Sequence, residues 1–518
     1  MLDLGRSLIA VAERSGRATA IVDGSLRLTY AEWLDRVLRV VSGLRALDLQ
    51  KGDHVVSLLQ NRWEAATLHW ACQLAGLIMT PLNWRAKADE VDYCAEDSGA
   101  RIVFFQDVSA EAVVASSKTG ALPCIAVGGS GGGSGMFENL LAAAPAPAIP
   151  AACADDISLM LYTSGTTGKP KGVPRRHRQE RAAAVAHVAQ NLYARGERTL
   201  GVMPLYHTMG VRSLLAMALI EGAFVCLPRF DVAGALDLIE RERITNLYLV
   251  PTLYHDLVAH ERFARADTSS VRKIGFAGAA MPDGLLKRVA AAFKPDLFVN
   301  HYGSSEIYTF TIDQDATRKA GSAGRAGINQ RIRVVRLDAK SADDIAAPGQ
   351  EGEIIADLAS DEAFEGYWRR PDADAKAIRD GWYFTGDTGY IDDEGDLFVT
   401  GRVDDMIVSG GENVSPGEIE SVLSLHPAIS EVAVAGVPDE RWGKRIVAFI
   451  KCTAPTERQA LDEWCRHSSL ANFKRPRDYV FVREIPKSPV GKILRRKLVA
   501  GEFEIDTSFT APSTGNAA

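Results

Sequence analysis

One stretch of the chain combines hydroxyl side chains, glycines and lysines in a spacing suited to binding a polyphosphate. It reads LYTSGTTGKPKGV over residues 161–173 and follows an apolar run, 159–162, that predicts a strand. Glycines let backbone N–H groups point towards an anion, hydroxyls add donors, and lysines add positive charge. The stretch departs from the Walker A loop, because Thr163 replaces its first glycine and Pro170 follows Lys169. It therefore predicts a phosphate-binding loop of another kind.

The elements around this loop follow an alternating strand and helix pattern. Apolar runs at 55–59 and 77–81 flank a helical pattern at 63–74, and the same order recurs between residues 199 and 227. This repetition predicts right-handed crossovers and parallel sheets covered by helices on both faces. From Arg331 onward, short alternating strands separated by turns predict an antiparallel β unit, and a compact α+β segment begins near Arg402.

Composition narrows the classes of protein that this chain can belong to. Its 518 residues are 47% hydrophobic and 24% charged, as in large globular enzymes. The net charge of −7 argues against nucleic-acid binding, and no apolar run approaches the length of about 18 residues that spans a membrane. Seven cysteines without a CxxC pair, and charged residues in place of a signal-peptide core, predict a cytoplasmic protein with reduced thiols.

Five further segments follow the loop in order. They are GAAMP at 278–282, NHYGSSE at 300–306, WYFTGD at 382–387, GRVDDMI at 401–407 and PKSPVGK at 486–492. Together with the loop, they resemble the signatures of the adenylate-forming superfamily, which contains acyl-CoA synthetases, luciferases and the adenylation domains of peptide synthetases. The resemblance covers nearly the whole chain.

This resemblance implies an α/β fold in two domains. A large N-terminal domain, residues 1–402, would contain two doubly wound α/β subdomains plus a β-barrel and would bind ATP and the acyl substrate. A small mobile α+β C-terminal domain, residues 403–505, would carry the catalytic lysine and CoA contacts, with Asp404 as the hinge. Residues 506–518 are small and polar, so we expect a disordered tail.

The implied chemistry activates a carboxylic acid. A free carboxylate cannot acylate a thiol, because its leaving group would be oxide, whereas attack on the α-phosphate of ATP gives an acyl-adenylate with AMP as leaving group. Negative charge gathers on the phosphoryl oxygens, so the site needs fixed cations and donors. By the resemblance, Lys492 would bridge the α-phosphate and the carboxylate, Glu306 would hold Mg²⁺, and His207 would be a movable gate.

The resemblance also assigns the nucleotide contacts. Asp387 would accept both ribose hydroxyls with help from Arg402, and Tyr302 would lie on the adenine face. The complete ATP and AMP set is Thr163, Ser164, Gly165, Thr166, Thr167, Lys171, Gly278, Ala279, Ala280, His301, Tyr302, Gly303, Ser304, Asp387 and Arg402.

Further stretches resemble the aryl-CoA ligases, in particular those of the halobenzoate type. They include FAGA at 276–279, SGGEN at 409–413, RWG at 441–443 and FKRP at 473–476. By that match CoA is the acyl acceptor, bound by Arg85, Trp442, Phe473 and Arg475. Residues 473–498 also hold nine Lys or Arg against two acids, a basic bias that suits phosphate groups.

The acyl pocket departs from the halobenzoate pattern. By alignment it is lined by Ala186, His207, Thr208, Met209, Ala279, His301, Tyr308 and Thr309, and that pattern has Phe, Ile and Met where this chain has Ala186, His301 and Tyr308. His301, Tyr308 and Thr309 add polar capacity, which favours a small aromatic or heteroaromatic acid such as benzoate, a hydroxybenzoate or furoate. The absence of aspartate from LYHTMG, 205–210, argues against an amino acid.

Three alternatives stay open at this point. The acid could be a short aliphatic one, the acceptor could be a carrier protein, or the chain could be a silent adenylate-binding sensor. The predicted partners are a small carboxylic acid, ATP and CoA, without nucleic acid or membrane, and a homodimer is a further possibility.

Overall fold

The computed structural model describes residues 3–129, 133–163, 169–409, 412–468, 470–487 and 493–509. Its helices are α1 Leu4–Ser15, α2 Tyr30–Ala46, α3 Trp63–Ala75, α4 Ala88–Ser98, α5 Asp107–Ala115, α6 Phe137–Leu141, α7 His177–Gln190, α8 Thr208–Leu219, α9 Val232–Arg241, α10 Pro251–Ala259, α11 Asp283–Phe293, α12 Pro371–Ala377, α13 Pro416–Ser424, α14 Arg458–Arg466 and α15 Arg495–Val499. No helix in these ranges is both long and apolar enough to cross a bilayer.

The strands are β1 Thr19–Asp23, β2 Leu26–Thr29, β3 His54–Leu58, β4 Ile78–Pro81, β5 Ala100–Phe105, β6 Cys124–Ala126, β7 Gly135–Met136, β8 Ile157–Thr163, β9 Lys171–Arg176, β10 Arg198–Gly201, β11 Ala223–Cys226, β12 Asn246–Leu249 and β13 Lys273–Phe276. They continue with β14 Leu297–Tyr302, β15 Thr311–Asp313, β16 Ser322–Ala326, β17 Ile332–Val335, β18 Gly352–Asp357, β19 Ile378–Arg379, β20 Trp382–Ile391, β21 Leu397–Arg402, β22 Ile407–Ser409, β23 Glu412–Val414, β24 Ile429–Asp439, β25 Gly443–Cys452 and β26 Asp478–Phe481.

Two large sheets form the N-terminal part. The first has seven strands in the order β7-β6-β5-β3-β4-β8-β9, parallel except for the antiparallel pair β8 and β9. The second contains the parallel run β14-β13-β12-β10-β11-β1, in which β1 comes from the beginning of the chain. The alternation of strands and helices therefore gave the predicted α/β architecture.

Helices from both subdomains bury a shared apolar core between the two sheets. Trp33 of α2 and Trp70 of α3 are almost fully buried, with ring centroids 6.4 Å apart in an edge-to-face arrangement. The indole N–H of Trp33 donates to the Thr67 hydroxyl at 3.0 Å, which satisfies its polar atom inside the core. Leu214 of α8 belongs to the same cluster, so the helix that begins beside His207 is fixed by core packing.

The β-barrel expected beside these sheets is wrong. Strand β14 pairs antiparallel with β15, and the order continues through β16, β21, β20 and β18 to β17, so these strands extend the second sheet as a mixed, open one. Closure would require the end strand β17 to pair with a second strand, and among the described residues its only ladder partner is β18.

The C-terminal part has its own small sheet and core. Strands β23, β22, β25 and β24 are antiparallel neighbours, and β26 adds to β25 in parallel. Helices α13 and α14 pack Ile419, Leu423 and Leu461 against this sheet. The large α/β part and the small α+β part thus match the predicted fold class, apart from the barrel.

Candidate active site

The ribose motif and the adenine motif meet at the carboxylate of Asp387. Asp387 lies on β20 opposite Arg402 of β21, and its carboxylate accepts hydrogen bonds from Arg402 Nη1 at 2.7 Å and the Tyr302 hydroxyl at 2.6 Å. A Cβ at Gly386, whose φ is +71°, would lie 2.9 Å from Arg402 Nη2. The left-handed backbone conformation therefore favours glycine at this position, and a side chain there would displace the Arg402 guanidinium.

Tyr302 is held as a neutral donor. Burial raises the pKa of its phenol well above the usual range, and the Asp387 carboxylate adds to this effect. Three of the predicted nucleotide residues thus form one hydrogen-bonded group, which keeps the carboxylate oriented.

A second group joins the phosphate loop to the end of the adenine motif. Glu306 is 6% exposed, and its Oε1 accepts from the Tyr367 hydroxyl at 2.7 Å. The ammonium of Lys171 lies 3.9 Å from the centre of the Tyr367 ring. Burial lowers the pKa of Lys171, and the negative charge of Glu306 partly opposes this shift. Tyr367 was not among the residues predicted from the sequence.

The phosphate loop connects β8 to β9, with Thr163 directly opposite Lys171 in the antiparallel ladder. The hydroxyl of Thr163 donates to the backbone oxygen of Lys171 at 3.5 Å, a long contact. The predicted loop residues Ser164, Gly165, Thr166 and Thr167 lie outside the described residues. The two ends of the loop are thus described, and both ends are strands.

The donor set around Glu306 suits Mg²⁺ better than a metal bound by protein alone. Over the described ranges no cluster of three or more His, Cys, Asp or Glu side chains is placed to bind a metal. Mg²⁺ commonly takes one or two carboxylates and fills its remaining positions with phosphate oxygens and water. A single buried carboxylate beside a phosphate loop fits that coordination.

Tight turns position the remaining adenine-side residues. Gly278 has a φ of +83°, and the following Ala279 and Ala280 are exposed. At Gly303 a Cβ would lie 2.0 Å from the Tyr308 carbonyl oxygen, so the turn that brings Glu306 into place needs glycine. The Ser304 hydroxyl accepts from the Glu306 backbone N–H at 3.2 Å and holds the same turn.

The predicted acyl-pocket residues lie at the start of α8, on α7 and at the end of β14. His207 caps α8, accepting from the Met209 N–H at 3.4 Å. Of the others, Ala279 is exposed and the rest are buried: Ala186, Thr208, Met209, His301, Tyr308 and Thr309. The polar atoms of His301 and Tyr308 already have partners, since His301 Nε2 lies 2.6 Å from Arg212 Nη1 and the Tyr308 hydroxyl donates to Glu180 at 3.2 Å.

Sequence reasoning missed a set of buried charges behind this pocket. Arg175 pairs with Glu180 at 2.8 Å, and Arg212 Nη2 lies 3.6 Å from Glu362 Oε2. The Tyr308 ring lies between the two guanidinium groups, at 4.2 Å from that of Arg175 and 4.9 Å from that of Arg212. An arginine inside the apolar helix α8 was the one signal in the sequence.

Arg175 also fixes the backbone of the site. Its Nη1 donates to the carbonyl oxygens of Glu306 at 2.9 Å and Glu362 at 2.6 Å. Because Arg175 is the penultimate residue of β9, the strand that follows the phosphate loop, its side chain connects that strand to the Glu306 turn. It therefore positions the candidate metal ligand without touching a substrate.

One of the four predicted CoA residues lines the cavity between the two parts of the chain. Arg85 lines a cavity of 590 Å³ between the N-terminal part and residues 484–487 of the C-terminal part. Trp442 instead lies near Arg441 and Arg477, with centroid distances of 4.9 and 5.6 Å, and Phe473 is 45% exposed. Arg475 is paired with Asp462, and neither it nor Trp442 or Phe473 lines that cavity.

Arg495, at the start of α15, contacts the residue that follows the predicted hinge. Asp404 is exposed in the turn between β21 and β22. The next residue, Asp405, lies 3.4 Å from Arg495 Nη1, and Nη2 of the same arginine donates to both oxygens of Glu420 at 2.7 and 2.8 Å. Lys492 lies outside the described residues, three positions before Arg495.

Comparison with known proteins gives matches along most of the chain. A family model described as AMP-binding enzyme matches residues 8–368, and one described as AMP-binding enzyme C-terminal domain matches residues 418–492. The chain is 34% identical to a 4-chlorobenzoate–CoA ligase of an Arthrobacter species, over 94% of this chain and 93% of that one. It is 35% identical to the long-chain-fatty-acid–CoA ligase FadD13 of Mycobacterium tuberculosis, over 96% and 98%.

The fold is also similar to that of a solved CoA ligase. The anthranilate CoA ligase AuaEII in complex with anthranoyl-AMP superposes with a TM-score of 0.89 at 27% identity, over 96% of this chain and 97% of that one.

Proposed function

The chain belongs to the AMP-binding enzymes and is an acid–thiol ligase, and we propose that it joins a small aromatic or heteroaromatic acid to CoA through an acyl-adenylate. The family predicted from the six motifs is thereby confirmed, as are ATP and CoA as its substrates. The residue roles and the identity of the acid belong to the proposal.

The group formed by Asp387, Tyr302 and Arg402 is the observation that carries this proposal. In the first half-reaction Asp387 accepts the ribose hydroxyls, while Tyr302 lies against the adenine. Lys171 and the hydroxyls of the loop neutralise the β- and γ-phosphates, and Lys492 contacts the α-phosphate and the attacking carboxylate. Glu306 would hold Mg²⁺, which when bound offsets the negative charge developing on phosphoryl oxygens.

In the second half-reaction the thiol of CoA attacks the acyl carbon and AMP leaves. We propose that the C-terminal domain, residues 403–505, turns about Asp404 between the two steps. Arg85 lines the cavity between the two parts of the chain, whereas Trp442, Phe473 and Arg475 do not, and this difference supports a movement that would bring all four to CoA. His207, at the start of α8, would gate the path of the thiol.

The acid itself is proposed from the polarity of the pocket. Named relatives act on an aromatic acid and on long-chain fatty acids, so the family alone leaves both classes open. Buried Arg212 and Glu362 favour a small ring with polar character over an alkyl chain, because an alkyl group would leave Nε and Nη2 of Arg212 and Oε2 of Glu362 without hydrogen-bond partners. A short aliphatic acid is the second candidate.

The decisive experiment measures the products. The enzyme is incubated with ATP, Mg²⁺, a panel of aryl, heteroaryl and short aliphatic acids, and either CoA or a generic carrier protein. We expect AMP, pyrophosphate and an acyl-CoA thioester with at least one small aromatic acid. Formation of ADP and phosphate would refute the mechanism, and acyl transfer to the carrier alone would refute CoA as acceptor. Gel filtration of the same preparation tests the homodimer.

A further inference from the structure

Two buried charged side chains next to the predicted acyl pocket keep polar atoms without hydrogen-bond partners. Arg212 is 2% exposed and Glu362 is 3% exposed. Within the described part of the chain, Nε and Nη2 of Arg212 and Oε2 of Glu362 have no hydrogen-bond partner. Their other atoms are engaged, since Arg212 Nη1 donates to His301 Nε2 at 2.6 Å and Glu362 Oε1 accepts from the Thr309 hydroxyl at 3.3 Å.

Helix α8 places Arg212 on the same face as Thr208, one of the predicted acyl-pocket residues. Arg212 follows Thr208 by four residues on α8, so both side chains lie on one helical face. Its Cα lies five residues beyond His207, a rise of about 7.5 Å along the helix axis. His301 and Thr309, which contact Arg212 and Glu362, are themselves predicted pocket residues. The unpartnered atoms therefore belong to side chains that contact predicted pocket residues, and Arg212 is more than one helical turn from His207.

The His301 ring acts as an acceptor in this group. Burial lowers its pKa well below the usual range, and the neighbouring positive charge of Arg212 lowers it further. The neutral ring therefore accepts from Arg212 and fixes the guanidinium in place. This leaves one edge of Arg212 and one oxygen of Glu362, 3.6 Å apart, as a donor and an acceptor side by side.

The chemistry of a matching ligand group follows from this pair. A hydroxyl can accept from Arg212 Nη2 and donate to Glu362 Oε2, so it satisfies both atoms at once. A ring oxygen can only accept, and a halogen does neither well. Buried polar atoms without partners are costly, so the group that satisfies both is strongly favoured.

The balance of charge argues against a second carboxylate on the substrate. Arg175 is paired with Glu180 at 2.8 Å, and Arg212 is compensated by Glu362. The buried charges in this region therefore cancel already. An added carboxylate would be a buried negative charge without a counter-charge of its own.

We infer that Arg212 and Glu362 select an acid that carries a hydroxyl group on the side of its ring away from the reacting carboxylate, a hydroxyaryl acid such as 4- or 3-hydroxybenzoate. This inference rests on the proposed function, because it concerns the acid that the ligase activates. Arg212 and Glu362 are specificity-determining residues on this account, and they take no part in the chemistry of the phosphate.

The test compares kcat/KM for 4-hydroxybenzoate and 3-hydroxybenzoate with that for benzoate, 4-chlorobenzoate and terephthalate. The wild-type enzyme should prefer one hydroxybenzoate over benzoate and 4-chlorobenzoate by about tenfold or more. Glu362→Gln and Arg212→Gln should each lower this preference about tenfold while changing the rate with benzoate much less. A purely structural role would lower all the rates together and leave the ratio unchanged.

Glu242→Gln is the matched control, since it makes the same change in another buried carboxylate that pairs with an arginine, Arg198, at 2.9 Å, outside the predicted pocket. It should leave the ratio of hydroxybenzoate to benzoate within about twofold of wild type. If Arg212→Gln does not fold, Glu362→Gln and the wild-type ratios still decide the question. An unchanged ratio in both variants, a preference for terephthalate, or a wild type that does not prefer hydroxybenzoates would overturn the inference. Those results leave the ligase function standing, whereas ADP formation, or no acyl-CoA from any acid in the wider panel, would refute the function itself.

Discussion

Replacing Asp387 by asparagine tests whether its carboxylate binds the ribose of ATP. The change keeps the shape of the side chain but removes its charge and exchanges one acceptor oxygen for an NH₂ donor. Two of its protein partners, the Tyr302 hydroxyl and Arg402 Nη1, are themselves donors, so the new NH₂ group faces donors. The adenosine site should lose both its orientation and one acceptor for a ribose hydroxyl.

The expected loss in kcat/KM for ATP can be worked out from these contacts. A hydrogen bond to a charged group contributes about 1.5–3 kcal/mol, which corresponds to a loss of roughly 10- to 150-fold in kcat/KM for ATP. The ion pair with Arg402 adds little to this figure, because the arginine side chain is 41% exposed and solvent screens the pair. Most of the loss should therefore report on the nucleotide.

The assay is pyrophosphate release with ATP, 2′-deoxy-ATP and 3′-deoxy-ATP as varied substrates. In the wild type each missing hydroxyl should lower kcat/KM, and in Asp387→Asn at least one of these penalties should shrink. Asp357→Asn is the matched control, because Asp357 lies on β18 beside β20 and pairs with Arg331 in the same sheet. Equal deoxy penalties in the wild type and in Asp387→Asn would refute the assignment of Asp387 to the ribose.

Three further outcomes are expected. Ala186→Phe should reduce the range of acids that the enzyme accepts, and it should lower kcat/KM for bulkier aryl acids relative to benzoate by the equivalent of about 1–3 kcal/mol. An unchanged substrate profile would show that Ala186 does not line the acyl pocket. Lys492→Ala should raise the activation free energy of adenylation by about 3–4 kcal/mol but leave thioester formation from a presynthesised acyl-adenylate nearly unchanged. Asp404→Pro should instead slow thioester formation and leave adenylation nearly unchanged. Equal losses in the single-turnover rates of both half-reactions would contradict domain alternation. Burial lowers the pKa of His69 to about 3, so as the pH falls this histidine takes up a proton in the unfolded chain before it does in the folded one. The free energy of unfolding should therefore decrease by about 1.4 kcal/mol for this residue between about pH 7.5 and about pH 5.5. Denaturant titrations should show a smaller pH-dependent loss in His69→Gln, and an identical loss would show that His69 does not contribute.

The periodic elements of the fold were predictable because their signals are local. The runs at 55–59, 63–74 and 77–81 correspond to β3 His54–Leu58, α3 Trp63–Ala75 and β4 Ile78–Pro81, within one residue at each end. In these segments the apolar pattern, the stop at Gly76 and the burial all agree. The open edge at β17 could not be predicted, because closure depends on pairing between strands far apart in sequence.

The residues of the candidate site also fall into two groups, those that local sequence motifs predict and those that only the fold brings together. Asp387, Arg402 and Tyr302 lie in contiguous motifs, so their types and order sufficed to group them. Arg212 and Glu362 are 150 positions apart, and each looks like an ordinary surface charge until the fold buries both. Tyr367 was missed because it lies outside the six motifs, in the mixed stretch EAFEGYWRR at 362–370, where a tyrosine gives no specific signal.

The pairing of β1 with β11 has a consequence for how the protein is made. Ile21 lies opposite Phe224, so β1, which pairs with β2 on its other side, cannot form its ladder with β11 until about 200 more residues have been synthesised. At about 5–20 residues per second, the ribosome exposes this apolar segment for roughly 10–40 s before its ladder can form. Residues 54–176 can build their own sheet in the meantime. The earliest part of the nascent chain is therefore among the last to be incorporated, and it is the segment that a chaperone on the ribosome would have most reason to hold.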